Sequence, residues 1–201
     1  MDLKKCEPVI DGVIRTHKVK LYYPSLLEMY VMGKDPNGDK KYHTQFLIPT
    51  DADISLMKQL LKKAAEEKWG VGKVPSGLRS PFLDCAVEGH EGWIRVRVKS
   101  DYKPGVVGAD TKPISDPSLI YGGRWAVIHI HAYAYDQAGN KGVAFGLSDV
   151  QLLDHGPALG GRASTSSHFK AVEGVASANP NAAASSTAAA GEISSDDFLN
   201  T

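Results

Sequence analysis

Apolar and polar residues alternate most strictly along Trp93-Ile94-Arg95-Val96-Arg97-Val98-Lys99. Successive side chains of a strand point to opposite faces. Ile94, Val96 and Val98 therefore share one face, the core side, and Trp93, Arg95, Arg97 and Lys99 share the other. The same period runs through residues 124–135. Ala126, Ile128, Ile130, Ala132 and Ala134 lie on one face of that strand. Trp125, Val127, His129, His131, Tyr133 and Tyr135 lie on the other. Residues 13–23 read as an earlier long strand ended by Pro24, with Lys18, Lys20 and Tyr22 on one face. Residues 29–32 and 41–48 read as a hairpin around the turn cluster Asp35-Pro36-Asn37-Gly38-Asp39. Residues 143–153 return after a turn over residues 136–142. One segment alone has a helical period: Ile54, Met57, Leu60, Leu61, Ala64, Ala65 and Trp69. It predicts a helix over about 52–69, with Thr50, Asp51 or Asp53 capping its start and Gly70 its end. Lys58, Lys62, Lys63, Glu66, Glu67 and Lys68 lie off the stripe and read as a solvated outer face. Residues 71–79 read as loop. Residues 102–121 form a connection long enough to suggest function. Several strands with one helix predict a mainly β fold, a small antiparallel barrel or curved sheet.

Composition changes the picture at the end of the chain. Of the 46 residues from 156 to 201, 32 are Ala, Ser, Gly, Thr, Asn or Pro. Such a stretch buries too little apolar surface to offset chain entropy and reads as disordered. The expected organisation is a domain over 1–155 followed by a tail over 156–201. No apolar run approaches the roughly 20 residues of a membrane span, and the start has no signal-peptide core. Cys6 and Cys85 form no CxxC pair, so the expected compartment is a reducing cytoplasm. The whole chain has 23 basic and 23 acidic residues. Their balance says little about partners, and placement must decide.

The placement is suggestive. Arg95, Arg97 and Lys99 form a row of cations that repel one another unless carboxylates or an anion lie opposite. Acidic neighbours on an ordinary solvated strand would satisfy that row, as would a polyanion. The face carrying Trp125, His129, His131 and Tyr133 is rich in flat rings with polar tips. Packed inward, such rings would serve as core. Facing out beside a basic row, they suit single-stranded nucleic acid, whose bases stack on rings while cations track the phosphates. Trp93 and Tyr22 would add rings, and Lys18 and Lys20 would add charge. A rival reading uses His129-x-His131 as two metal ligands on one strand face. The spacing Gly123-x5-His129-x-His131-x4-Asp136 loosely resembles the first metal motif of the cupin barrels, which would imply a metal-dependent enzyme. A Glu stands in that family where Asp136 is here, and no second motif follows. No phosphate loop, nucleophile elbow or paired-carboxylate motif is visible, so neither a cofactor nor catalysis is expected from motifs.

After the small-residue stretch, Asp196 and Asp197 meet Phe198. Acids beside a ring make a docking peptide: a partner's cations hold the carboxylates and a pocket takes the ring. The same acids could sit on the protein's own basic surface when nucleic acid is absent. A plain solubilising terminus would have the same composition.

Three runs together resemble a family of bacteriophage single-stranded-DNA-binding proteins: Ile120-Tyr121-Gly122-Gly123-Arg124-Trp125, Ala132-Tyr133-Ala134-Tyr135-Asp136 and Gly139-Asn140-Lys141-Gly142-Val143-Ala144-Phe145-Gly146-Leu147. Lys112-Pro113-Ile114-Ser115-Asp116-Pro117 and Asp154-His155-Gly156-Pro157-Ala158-Leu159-Gly160-Gly161 extend the likeness. The resemblance implies an OB-fold-like barrel that coats single-stranded DNA during phage replication or recombination, without catalysis, in the cytoplasm of an infected bacterial host. Partners would be single-stranded DNA and, through the tail, replication or recombination proteins; a homodimer is left open. The tail itself resembles the acidic ends of bacterial single-stranded-DNA-binding proteins. It departs from them in having no proline, and Leu199-Asn200-Thr201 follow the Phe.

Overall fold

The computed structural model describes residues 3–159 except 11, 32–37 and 138. Its elements in chain order are β1 (Glu7–Ile10), β2 (Val13–Arg15), β3 (Val19–Val31), β4 (Lys40–Ile48), α1 (Ser55–Trp69), β5 (Phe82–Asp84), β6 (Ile94–Ser100), β7 (Gly105–Val107), β8 (Trp125–Gln137) and β9 (Asn140–Leu152). Among the described residues the fold is mainly β with one α-helix, as the periodicities predict. Five strands form a partial ring in the order β8-β3-β4-β6-β9, and the β8–β9 hairpin closes it. That order is the five-stranded, partly open barrel of OB-like proteins. The pairings are antiparallel except that β9 runs parallel to β6 and to β7.

The inward faces are the ones alternation assigns. Val96 and Val98 on β6 and Ala126, Ile128 and Ile130 on β8 are fully buried. They meet Leu21, Phe46, Ile48, Phe145 and Leu152 in one core cluster. The stripe of α1 supplies Met57 and Leu61 to the same cluster. Asp53 Oδ1 accepts from the Ser55 N–H at 2.9 Å, and the helix begins there rather than at 52. Gly70, at φ 91°, ends it and donates its N–H to Glu66 O at 2.8 Å.

Two strand limits differ from expectation. The run 13–23 is divided into β2 and β3, yet both pair with β8: Val13↔His131 and Arg15↔His129, then Val19↔Ala126 and Lys20↔Trp125. The register slips by one residue across Thr16–Lys18. Thr16 fills the break, its N–H donating to Ile128 O and its Oγ1 accepting from Ile128 N. Pro24 does not end β3. It sits in a bulge between the pairs Tyr22↔Gln45 and Ser25↔His43, the one kind of site where an interior strand tolerates a missing N–H. Residues 29–31 belong to that same strand. The turn cluster read at 35–39 lies mostly outside the described residues.

The connection over 102–121 is partly structured. β7 pairs with β9 through Val106↔Val150, and Pro117–Leu119 forms a 3-10 turn capped by Asp116. The β8–β9 hairpin is longer than expected, pairing out to Gln137↔Asn140. Residues 156–159, read as the start of the tail, pack back on the barrel. Leu159 N–H donates to Gly122 O at 2.7 Å, and Gly123 leaves no room for a side chain against Pro157 O. Residues 160–201, with Asp196, Asp197 and Phe198, lie outside the described residues.

Candidate nucleic-acid interface

Register places the outward residues of neighbouring strands in rows. Trp125, Lys20, Leu47 and Arg95 lie side by side across β8, β3, β4 and β6, Leu47 being fully buried within the row. Tyr22, Gln45 and Arg97 form the next row. His43, Lys99, Gly146 and His131 form a third, across β4, β6, β9 and β8. The β6 cations therefore share one outer face with Lys20, Tyr22, Trp125 and His131. Arg97 and Lys99 are exposed and Arg95 half-buried. Among the described residues none of the three has a carboxylate partner. The Arg95 Nε is buried with no hydrogen-bond partner.

At one end of this face the two tryptophans meet, their rings 6.3 Å apart. Lys20 Nζ lies 5.4 Å from the Trp93 ring and 5.0 Å from the Trp125 ring, and Lys18 Nζ lies 4.9 Å from Trp125. Cations over indole faces are held by the ring quadrupole. Lys20 also donates to His90 Nε2 at 2.9 Å. An ammonium can only donate, so Nε2 is the acceptor, and the His90 Nδ1–H faces Glu88 O. Burial lowers the Lys20 pKa from its usual value. The sequence pattern does not single out His90, because nothing in its Gly-rich segment signals contact with β3. Lys18 is ion-paired with Asp154, whose carboxyl pKa that lysine lowers.

At the other end, His131 and Tyr133 are ring neighbours at 6.3 Å, and Tyr133 and Tyr135 at 6.5 Å. Burial lowers the His131 pKa and raises that of Tyr133. Tyr30, 63% exposed, stands 5.8 Å from His43 on the β3–β4 side. Burial, with Arg97 nearby, lowers the His43 pKa. Tyr22 meets Tyr23 at 4.3 Å, and burial raises its pKa.

His129 is set apart from these groups. A register shift on β9 lies between His129 and Ile130. His129 instead lines a cavity of about 420 Å³ with Arg15, Thr111 and Gln151, its Nδ1 3.7 Å from Asp149. No group of three or more His, Cys, Asp or Glu among the described residues is placed to hold a metal ion. No helix among them is long and apolar enough to cross a membrane.

Comparison with known proteins gives the same direction. The structure is similar to the single-stranded DNA-binding protein from bacteriophage Enc34 in complex with ssDNA, with TM-score 0.64 and 20% identity over 78% of this chain and 94% of that one. A second structure of the Enc34 protein matches at TM-score 0.63 and 21% identity, covering 83% and 95%. The protein gp2.5, a single-stranded DNA binding protein encoded by bacteriophage T7, matches at TM-score 0.54 and 16% identity, covering 83% and 98%. Likeness at these identities shows the fold. No curated protein matches the sequence. The family model described as Enterobacter phage Enc34, ssDNA-binding protein matches residues 12–179, most of the chain. The chain belongs to that family of phage ssDNA-binding proteins.

Proposed function

We propose that the chain binds single-stranded DNA without catalysis and largely without regard to sequence, in phage replication or recombination within an infected bacterial cell. The observation that carries this reading is the row Arg95, Arg97 and Lys99 on the outer face of β6, without a carboxylate partner among the described residues. Three like charges at a two-residue repeat, with no carboxylates opposite, are stabilised by a polyanion. Rings on the same face supply what the bases need. Tyr22 borders the row through Gln45, His131 borders it through Gly146, and Tyr133 is the ring neighbour of His131. Strands β4 and β6 are the second and third of the barrel, the face on which OB folds hold oligonucleotides. Lys18 and Lys20 extend the basic surface, with Trp93 and Trp125 beside them. His129 lies apart from this surface, in the cavity it lines with Arg15, Thr111 and Gln151. The acidic residues Asp196 and Asp197, with Phe198, would dock a partner or compete with DNA for the basic face.

The test is fluorescence anisotropy with labelled oligo-dT at two salt concentrations, beside a duplex of equal length. The expected result is tight, salt-sensitive binding that favours the single strand. Arg95→Ala with Arg97→Ala should weaken it and reduce the slope of log K against log salt by roughly 0.7 per lost phosphate contact. No binding by the folded wild-type protein at low salt would overturn the reading. An unchanged slope in the folded double variant would remove β6 from the interface.

A further inference from the structure

The segment that follows β9 turns back along the Trp125 end of the basic surface. Its backbone is tied to β8: Leu153 N–H donates to Trp125 O at 2.8 Å, and Trp125 N–H donates to Asp154 O at 3.1 Å. The His155 imidazole stacks on the Tyr121 ring, 6.0 Å between centroids, and accepts from Arg124 Nη1. Arg124 is buried and donates through Nη2 to Leu153 O at 3.0 Å. Leu159 N–H then bonds to Gly122 O. Residues 153–159 are thus a strap pinned at several points, and Asp154 is fixed within it beside Trp125.

The strap brings one carboxylate onto the surface. Lys18 Nζ donates to Asp154 Oδ2 while lying over the Trp125 ring. The lysine is anchored as well, since its backbone N–H donates to Leu3 O at 2.8 Å. An exposed ion pair contributes little where two long side chains must give up their freedom to meet. Here both backbones are already held, so less of that cost remains. Lys18, with Arg124 adding to it, holds the Asp154 carboxyl pKa below its usual value, and the group is an anion at neutral pH. Lys20, Arg95, Arg97 and Lys99 have no carboxylate partner among the described residues. Of the cations in the proposed interface, Lys18 alone is matched.

A carboxylate oxygen on this ammonium makes the charge-assisted contact that a phosphate oxygen would make. We infer that Asp154 is an internal competitor of the DNA backbone, which holds Lys18 in the free protein and yields it to a phosphate only when the ion pair opens. The inference rests on the proposed single-stranded-DNA function and adds a regulation of that site. The exchange has a signature in salt. A phosphate neutralised by a lysine releases a counterion from DNA. Where the lysine first leaves a carboxylate, that carboxylate takes up a cation, and the two changes offset. Lys18 therefore contributes little to the salt dependence of the wild type, unlike Arg95 and Arg97.

The experiment is anisotropy of labelled oligo-dT with the full chain over a salt series. Asp154→Asn keeps the shape of the side chain and removes its charge. It should raise affinity at low salt about two- to fivefold and steepen the slope of log K against log salt by roughly 0.7. Lys18→Ala in the Asp154→Asn background should abolish both gains, because no ammonium is left to release. Glu67→Gln, which removes a carboxylate paired with Lys63 on α1, should leave affinity and slope at wild-type values. Unchanged binding in folded Asp154→Asn overturns the inference. So does a gain that survives in the double variant, or an equal gain in Glu67→Gln. Each of these leaves DNA binding by the wild type standing. Absence of wild-type binding at low salt would be the separate failure of the function itself.

Discussion

His17 sits at the bend between β2 and β3, only 2% exposed. Its Nδ1 meets the Cys6 thiol at 3.4 Å, while its Nε2 is buried with no hydrogen-bond partner. Burial pushes its pKa from 6.5 down to about 4, against the opposing attraction of Asp51 and Asp53. The unfolded chain therefore binds a proton at His17 that the folded chain refuses between these two values. This contribution to stability is full above pH 6.5 and is lost as pH falls toward 4. A gap of that size corresponds to about 3 kcal/mol. Urea unfolding of the wild type at neutral pH and near pH 4.5 should show the loss. His17→Gln should show a flatter profile over the same window, and equal slopes in the two proteins would refute this origin. The other histidines on the basic face have a different consequence. Partial burial lowers the pKa of both His43 and His131, which neighbour Lys99 through the β4 and β9 register, so these rings add charge to the face as pH falls.

The helix α1 is tied to the fold through its apolar stripe. Its buried residues Met57, Leu61, Ala64 and Ala65 all come from the apolar stripe, and Lys62 and Lys63 pair with Glu66 and Glu67 along the helix. Met57→Ala should cost about 2–5 kcal/mol through lost burial and the cavity left behind. Oligo-dT affinity of the folded variant should not change, because Met57 is fully buried in the core cluster and absent from the outer face. Chemical unfolding and anisotropy on the same sample check both halves. Elements of this kind were legible in the sequence, because one period decides both type and face. Ile94-Arg95-Val96-Arg97-Val98 names its inward side unaided, whereas on residues 124–135, where both faces carry apolar groups, only the packing decides that Ala126, Ile128 and Ile130 are the inner set. What alternation cannot carry is an irregularity. The slip at Thr16–Lys18, the bulge that accommodates Pro24 and the short strand β7 depend on partners more than eighty residues away for the first and about twenty to forty for the others. The site was legible in the same measure. The strands bearing Arg97, Lys99, Tyr22 and His131 were visible, and that they share a face follows from pairing alone. His90 was not visible, since a loop's neighbour is set by tertiary structure and not by local pattern.

At the scale of the molecule, charge and topology act together. The chain is formally neutral, with 23 residues of each sign. The OB-like ring nevertheless brings Lys20, Arg95, Arg97 and Lys99 to one outer surface, while the acids of the last ten residues, Glu192, Asp196 and Asp197, lie far along the sequence. Leu159, the last described residue, is hydrogen-bonded to Gly122, three residues before Trp125. The chain leaves the described barrel beside the tryptophan end of the basic surface. Tethering makes any encounter between those acids and that surface intramolecular, so a weak ion-pairing interaction is amplified by effective concentration. If the acids occupy that surface, DNA has to displace them, and salt would screen that competition along with DNA binding itself. Removing residues 191–201 should therefore strengthen oligo-dT binding severalfold at low salt, with the gain fading as salt rises. Asp196→Asn with Asp197→Asn should reproduce part of the effect without shortening the chain. Anisotropy across a salt series decides it: a truncated protein that binds equally well or more weakly at low salt would show that the acids serve a partner and not the barrel's own face.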